Sequence, residues 1–434
     1  MSLRQSRAIV LIFLLALVLR AAPNVWLEWN EPGWHASHIN ELEFYYDDVA
    51  RSLIAGKGFV HSVNPRSPDS PYGFNPGTPF HFVPPLYAWL LGIEYFVFGP
   101  NVLVAKLIHS AIDAFVCVLL FMIGIRILDR RTALVAAALY AIYPLTIVTS
   151  TRLYYQTLLN LALCWIVLCL ASRVTFKNGM WTGIAVGLSA LAKPVTLPLI
   201  LLAPLVRMLE GIKLEVPLKP YIVWSTAVLI ASVLTLTPWT IRNYLIFDRF
   251  VPVQSDTAAG YVLLQGSTDA YIDLDVATLH RQYGDKLGFR EDQFSSVALQ
   301  NHLNHLRSNP FDYGRFLAKK FALAWYNTEG KERNRTALLI QIPFIVAAVV
   351  GLVALLPIWI RAPGIYIVGL VFYITGLQVP LFPLVRYTLA VMPLVMLPAA
   401  AGMMWAVERF VYKHSWVNPN LVDVRLGERP GVSL

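Results

Sequence analysis

The chain has 434 residues, of which 57% are hydrophobic and only 14% are charged. This composition excludes an ordinary soluble protein, because soluble domains carry about 25% charged residues. The net charge of +9 would suggest nucleic acid in a soluble protein. Here the basic residues fall mainly in short loops between apolar runs, as the positive-inside rule describes, so no nucleic-acid partner is predicted.

Several apolar runs approach the roughly 20 residues that cross a bilayer. They predict an all-α polytopic membrane protein with about ten or more transmembrane helices, and basic loops placed in the cytoplasm put both termini inside. The first run lacks a cleavage pattern and is predicted to remain as the first helix. The predicted crossings are residues 8–28, 103–127, 133–150, 156–172, 181–193, 194–210, 220–240, 337–360, 363–380 and 387–408.

The predicted organisation has four parts. They are an N-terminal transmembrane module (residues 1–240) with its first outer loop (29–102), an external loop subdomain (241–336), C-terminal transmembrane helices (337–408) and a cytoplasmic tail (409–434). The three cysteines lie in apolar runs and favour packing roles over disulfides or thiolate metal sites.

Three segments call for local predictions. Residues 84–99 are apolar but too short for a standard crossing, so we expect them to stay at the outer face, with a full crossing as the alternative. Proline is expected to break the helix at Lys193–Pro194, between the fifth and sixth crossings. Residues 242–268 alternate apolar and polar residues and predict an extended stretch, which gives the external subdomain an α/β-like character.

The first outer loop carries four carboxylates within eight residues, just after the first apolar run. Acids at a membrane surface usually mark a working site. The acids precede an Ala/Leu face and two glycines, which predicts a short surface helix with its acids at the positive end. One carboxylate could accept a proton from an attacking hydroxyl. The candidate catalytic residues are Glu43, Asp47, Asp48 and Glu41.

Basic residues from distant parts of the sequence share the same predicted face. Such a cluster is suited to a phosphate or pyrophosphate, with Lys as a point charge and Arg as a planar fork. Together with the acids it points to group transfer from a lipid-linked phosphate donor. For Arg152 and Arg242, snorkelling to lipid head groups is the simpler alternative. The candidate phosphate-binding residues are Lys193, Arg386, Arg242 and Arg152.

Other polar residues receive smaller roles. Tyr46, His81 and Gln156 are candidate substrate contacts. Asp113 and His109 lie one turn apart in a predicted crossing, and a buried hydrogen bond between them is the favoured interpretation. The chain shows no clear set of metal ligands, although a divalent cation held by the outer-loop acids remains open.

These motifs, in this order, resemble the GT-C superfamily of membrane glycosyltransferases. Within it the chain resembles relatives of glycosyltransferase family 39, which include the protein O-mannosyltransferases and the lipid A aminoarabinose transferase. The motifs are the acidic first loop ending in Gly56-x-Gly58-Phe59, VPPLYAWLLGIEYFVFGPN, YPLTIVTSTRLYYQTLL, LAKPVTLPL, TPWTIRNYLIFDRFVPV and RYTLAVMPLVMLPAA.

The resemblance implies an inverting transferase that takes a sugar from a polyprenyl-phosphate donor outside the cytoplasm, at the plasma membrane. A lipid, a glycan or a protein would be the acceptor. The family often has Asp-Glu at the positions of Leu42 and Glu43, so Glu43 keeps only the second acid. It commonly has an acid at Gln156, and glutamine cannot act as a base. A lipid-linked sugar transporter and a non-catalytic assembly subunit are the alternatives.

Overall fold

The computed structural model describes residues 3–38, 41–61, 77, 79, 83–253, 256–267, 294–328 and 331–410. Within these ranges the chain is helical apart from its connections, and the only β-type pairing is an isolated antiparallel bridge between Val60 and Pro79. The predicted all-α polytopic class is therefore confirmed.

The helices, in chain order, are α1 (Leu3–Asn30), α2 (Trp34–Ser37), α3 (Glu41–Ile54), α4 (Pro85–Phe98), α5 (Val102–Ile127), α6 (Arg130–Ala141), α7 (Pro144–Thr149), α8 (Gln156–Leu170), α9 (Phe176–Ala192), α10 (Leu199–Lys213), α11 (Lys219–Phe247), α12 (Asp256–Gly266), α13 (Phe294–Ser308), α14 (Pro310–Leu323), α15 (Lys331–Ala354), α16 (Leu356–Trp359), α17 (Gly364–Gln378), α18 (Val385–Thr388) and α19 (Met392–Phe410).

In the described part of the chain, five helical segments are long and apolar enough to cross a membrane. They are Arg7–Asn30, Val102–Ile127, Pro194–Lys213, Lys219–Phe247 and Glu332–Ala354. Each of the ten predicted crossings coincides with helical structure, although α8 and α17 are shorter apolar helices. The chain is an integral membrane protein, while the number of crossings and their sidedness remain predictions.

Local sequence signals set many of the helix ends. The side chain of Asn101 accepts hydrogen bonds from two backbone amides at the start of α5, and Asp129 does the same for α6. Pro144 starts a new helix after Tyr143, so the predicted crossing at 133–150 is divided into α6 and α7. The predicted break at Lys193–Pro194 is confirmed, because α9 ends at Ala192 and a 3₁₀ turn, Pro194–Thr196, follows.

The centre of the bundle is α5, which packs against α1, α6 and α8. A buried polar network joins these helices. The guanidinium of Arg20 on α1 donates to Asp113 at 2.5 Å and to the carbonyl of Ala141 at 2.9 Å. The hydroxyl of Tyr140 donates to the same carboxylate at 2.7 Å. The predicted His109–Asp113 hydrogen bond is wrong, because the carboxylate of Asp113 accepts hydrogen bonds from Arg20 and Tyr140 instead.

Helix α9 approaches α11 unusually closely because its contact face lacks side chains. A Cβ atom on Gly183 would lie 2.5 Å from the carbonyl oxygen of Val228, and one on Gly179 would lie 2.6 Å from that of Trp224. Small residues at such spacing let two helix backbones come together in a membrane. This contact fixes the position of Lys193, the residue that follows α9.

Most of the described part of the external region is helical. Asp256–Gly266 forms α12, so the extended stretch predicted across residues 242–268 is wrong there, and α11 continues to Phe247. The reason is tertiary: α12 packs against α13, and this contact favours helix over the weak alternation of the sequence. Residues 268–293 and the predicted tail beyond residue 410 lie outside the described residues.

The external helices are attached to the segment that precedes α19. The amide of Val385 donates to the carbonyl of Asn327 at 2.8 Å, and the Asn327 side chain donates to the carbonyl of Pro383 at 2.9 Å. His302 of α13 hydrogen-bonds the carbonyl of Pro380 at 3.2 Å. These bonds hold the backbone that leads to Arg386.

Candidate active site

The predicted acidic surface helix is present as α3, which ends before Gly56 and Gly58. Both glycines have positive φ, at +71° and +83°, a conformation that side chains with a Cβ rarely adopt. One face of α3 packs against α4. The acids of α3 therefore lie inside the protein and do not point into water, as the exposures of 0%, 7% and 4% for Glu43, Asp47 and Asp48 show.

Glu43 lies between two cations. Its Oε1 atom is 3.3 Å from Nη1 of Arg152, and its Oε2 atom is 3.9 Å from Nζ of Lys106. The backbone amide of Leu153 also donates to Oε2, at 3.3 Å. A buried carboxylate with this many donors is held in one orientation. Arg152 remains 38% exposed, so of the two cations it is the one that reaches the surface.

The other two described acids have different partners. Asp47 accepts from Nε of Arg51 at 2.8 Å and from the hydroxyl of Tyr95 at 2.5 Å. The hydrogen bond to Asp47 raises the pKa of the Arg51 guanidinium. Asp48 pairs with Nδ1 of His61 at 2.8 Å. The consecutive acids thus point in different directions, as expected for neighbours on a helix.

Lys193 and Arg386 form a second part of the site. The ammonium of Lys193 lies over the rings of Tyr155 and Tyr387, 5.1 Å and 4.8 Å from their centroids. Arg386 lies beside Tyr387, with 3.4 Å between Nη2 and the phenol oxygen. Within the part of the chain that the structure describes, neither cation forms an ion pair with a carboxylate, and each residue keeps an intermediate exposure at the surface.

The acid and the two cations contact the same two elements, α3 and the turn before α8. Glu43 and Tyr46 are three residues apart on α3 and therefore lie on one side of it. The phenol of Tyr46 interacts electrostatically with Arg386 and Tyr155, and burial raises the pKa of Tyr46. In the same way the turn before α8 carries Arg152 against Glu43 and Tyr155 against Lys193.

Gln156 lies beside the backbone of Arg386. Its Nε2 atom donates to the backbone carbonyl of Arg386 at 3.3 Å. Its Oε1 atom is buried and has no hydrogen-bond partner among the described residues. This amide therefore supports the Arg386 backbone and leaves one acceptor available to a hydroxyl group.

Arg242 lies in a separate place. Its guanidinium donates to the carbonyl of Phe59 at 3.1 Å and lies 4.6 Å from the ring centroid of Trp239. It borders a cavity of about 380 Å³ that is also lined by Trp89 and Lys57. The structure thus divides the four predicted phosphate-binding residues: Lys193 and Arg386 come together, Arg152 pairs with Glu43, and Arg242 faces this cavity.

Two buried residues near Glu43 were missed by the sequence analysis. Lys106 and His35 are 1% and 2% exposed, and Nζ of Lys106 lies 3.0 Å from Nδ1 of His35. A lysine inside an apolar run is expensive, and this was the signal that could have singled it out. His109 instead contacts Tyr87 and Glu94, at 3.2 Å and 3.1 Å.

Two candidate residues receive no structural test. His81 lies outside the described residues, and the side chain of Glu41 is likewise undescribed although its backbone begins α3. No group of three potential metal ligands occurs among the described residues. The described acids each contact a different basic partner, and a divalent cation held by the outer-loop acids stays a prediction.

Comparisons with known proteins agree with this architecture. A family model described as dolichyl-phosphate-mannose-protein mannosyltransferase matches residues 82–240. A comparison with curated protein sequences gives no significant match.

Solved structures of oligosaccharyltransferases from Archaeoglobus fulgidus are similar along almost the whole chain. The archaeal oligosaccharyltransferase AglB, in complex with an inhibitory peptide and a dolichol-phosphate, has a TM-score of 0.60 and 14% identity, covering 99% of this chain and 53% of that one. A structure tethered with an acceptor peptide has a TM-score of 0.60 and 14% identity, and it covers 96% of this chain and 51% of that one. A complex with Zn and sulfate has a TM-score of 0.53 and 13% identity, and it covers 94% of this chain and 50% of that one.

The chain therefore has the fold of the GT-C superfamily of membrane glycosyltransferases, and the resemblance seen in its motifs is confirmed. It spans about half the length of the archaeal oligosaccharyltransferases that it matches. At this sequence identity the likeness concerns the fold, so the reaction has to be argued from the site itself.

Proposed function

We propose that the protein is an inverting glycosyltransferase. It would move a sugar from a polyprenyl-phosphate donor to a hydroxyl acceptor on the non-cytoplasmic face of the membrane. The observation that carries the proposal is the pair Lys193 and Arg386. These two cations lack a carboxylate partner among the described residues, and they contact Tyr46 of α3 and Tyr155 in the turn before α8, the same two elements that hold Glu43 and Arg152. Cations of this kind are suited to an anionic ligand.

The reaction assigns one role to each part of the site. Glu43 accepts the proton of the acceptor hydroxyl, whose oxygen attacks the anomeric carbon of the donor sugar. The bond between that carbon and the phosphate oxygen breaks on the opposite face, which inverts the configuration. The polyprenyl phosphate leaves with the bonding electron pair, and Lys193 and Arg386 stabilise its charge.

The acceptor would reach Glu43 from the side of Arg152. This arginine is the partly exposed partner of the carboxylate, whereas Lys106 is buried behind it. Displacement of Arg152 would leave Oε1 available to the incoming hydroxyl. Gln156, beside the Arg386 backbone, and Tyr46, on the same helix as Glu43, are the proposed substrate contacts.

The similar structures support the class of donor and acceptor. One contains dolichol-phosphate, a lipid-linked phosphate, and another holds an acceptor peptide. One is a complex with Zn and sulfate, and the roles proposed for Glu43, Lys193 and Arg386 leave the question of a divalent cation open. The sugar, and the choice between a lipid, a glycan and a protein acceptor, are left open.

The test is donor binding by purified protein with one or both cations removed. Lys193→Met and Arg386→Met should each weaken the affinity for a polyprenyl-phosphate sugar by roughly 10-fold or more, because a charge-assisted hydrogen bond contributes about 1.5–3 kcal/mol. The double variant should bind least. Isothermal titration in detergent micelles, with polyprenyl phosphate as the competing ligand, measures these affinities.

Matched controls remove exposed cations elsewhere. Lys177 is the second residue of α9, the helix that Lys193 follows. Arg361 precedes α17, and both residues are exposed. Lys177→Met and Arg361→Met should keep the wild-type affinity. Unchanged donor affinity in the Lys193 and Arg386 variants, with the fold intact, would overturn the proposed phosphate site.

A further inference from the structure

Behind Glu43 lies a row of buried polar groups that the proposed reaction does not use. Nζ of Lys106, on α5, is 3.9 Å from Oε2 of Glu43 and 3.0 Å from Nδ1 of His35. His35, on α2, is in turn 2.9 Å from the carbonyl of Asn24 through Nε2. The row thus links α3, α5, α2 and α1, and its three titratable members are almost completely buried.

The hydrogen bonds define the state of His35. A carbonyl can only accept, so Nε2 of His35 carries a hydrogen and donates to Asn24. Nδ1 then presents its lone pair to the ammonium of Lys106. Burial, and in addition the charge of Lys106, lowers the pKa of His35 from its ordinary value of 6.5. The imidazole is therefore neutral at pH 7 and can anchor Lys106 as an acceptor.

Other titratable groups face the row from α1, from α4 and from the turn before α8. Glu28, on α1, accepts from the backbone amides of Gly33 and His35 and interacts electrostatically with Lys106. Tyr87, on α4, interacts electrostatically with Glu43. Arg152 contacts Glu43 from the opposite side. Lys106 is thus the cation that stays with Glu43 when an acceptor displaces Arg152.

We propose that Lys106, anchored by His35, is a positioning residue that keeps Glu43 ionised and oriented for proton transfer. This rests on the proposed role of Glu43 as the base. A fully buried carboxylate without a cation would take up a proton to avoid desolvation. Arg152 cannot prevent this during the reaction if it moves aside, whereas Lys106 is only 1% exposed and stays beside Glu43.

The experiment is the pH dependence of kcat/KM for sugar transfer. Loss of a positive charge favours the protonated carboxylate, and the base works only when ionised. Lys106→Met should therefore move the acidic limb of the profile to higher pH by about one to three pH units, with the rate recovering at high pH. Lys106→Arg, which keeps the charge, should restore most of the wild-type profile.

The anchor is tested separately through His35→Asn and His35→Ala. Asparagine offers an oxygen near the position of Nδ1 and should retain Lys106, whereas alanine should shift the acidic limb in the same direction as Lys106→Met. These variants also decide the matter if Lys106→Met fails to fold. Donor affinity, measured alongside, should stay near wild type in the His35 variants, while the thermal midpoint of His35→Ala should fall because buried partners of His35 lose their hydrogen bonds.

One result would overturn the positioning role of Lys106, and a different result would overturn the role of Glu43 as the base. A loss of rate in Lys106→Met and His35→Ala that is equal at all pH values shows a purely structural role and ends this inference, while Glu43→Gln remains inactive. Full activity of Glu43→Gln instead removes the base itself, and with it the proposed function. The two failures are distinguishable because the second appears in a variant with the row of Lys106 and His35 intact.

Discussion

Acidic side chains on α3 differ by the partners that tertiary structure gives them. The sequence places Glu43 and Asp47 on one helical face and Asp48 on the next, which restricts the base to a few candidates. It does not reveal that Arg152 and Lys106 meet at Glu43, because these residues come from two other elements. Long-range ion pairs of this kind have no local sequence signature, so the candidate site could be predicted only in part.

The buried pair Arg20–Asp113 is a second contact that only the fold reveals. Both side chains are almost inaccessible, at 0% and 4%. We expect Arg20→Met to lower the free energy of unfolding by about 3–5 kcal/mol, because it leaves a buried carboxylate without its cation. Equilibrium unfolding in mixed micelles measures this change.

The control for this prediction is an ion pair with an exposed cation. The Arg51 side chain in the pair with Asp47 is 42% exposed, and Arg51→Met should cost at most about 1 kcal/mol. The double variant Arg20→Met, Asp113→Leu should recover much of the loss. Equal unfolding free energies for Arg20→Met and the wild type would show that the network contributes nothing to stability.

At the scale of elements, the position of α9 against α11 determines where Lys193 lies. We expect Gly183→Ala to destabilise the protein by about 1–3 kcal/mol, since its new Cβ would meet the carbonyl of Val228 at 2.5 Å. The displaced helix should also weaken donor binding through Lys193. Thermal unfolding and donor titration of the same sample measure the two effects.

Gly369 supplies the matched control on α17. A Cβ atom at Gly369 would meet nothing within 4 Å, and alanine favours a helix over glycine by about 0.5–1 kcal/mol. Gly369→Ala should therefore leave stability and donor affinity unchanged or slightly improved. If Gly183→Ala behaves like Gly369→Ala, the close approach of α9 and α11 is not what holds Lys193 in place.

At the scale of the whole molecule, hydrophobic runs and prolines predicted the helices well because both act locally. The ten predicted crossings coincide with helices, and the break at Lys193–Pro194 follows from the geometry of proline. The external region was predicted less well. Helix α12 forms where an extended stretch was expected, because its packing against α13 outweighs a weak local pattern.

The central claim concerns the molecule as one catalyst, and transfer itself is its most direct test. Purified wild-type protein is mixed with a panel of polyprenyl-phosphate sugars and a membrane lipid and glycan extract, and release of polyprenyl phosphate is followed. The account predicts release by the wild type and a loss of roughly 10²–10⁴-fold in Glu43→Gln, with Asp47→Asn and Asp48→Asn affected less. Absence of release from every donor that the folded protein binds, or undiminished release in Glu43→Gln, would contradict it.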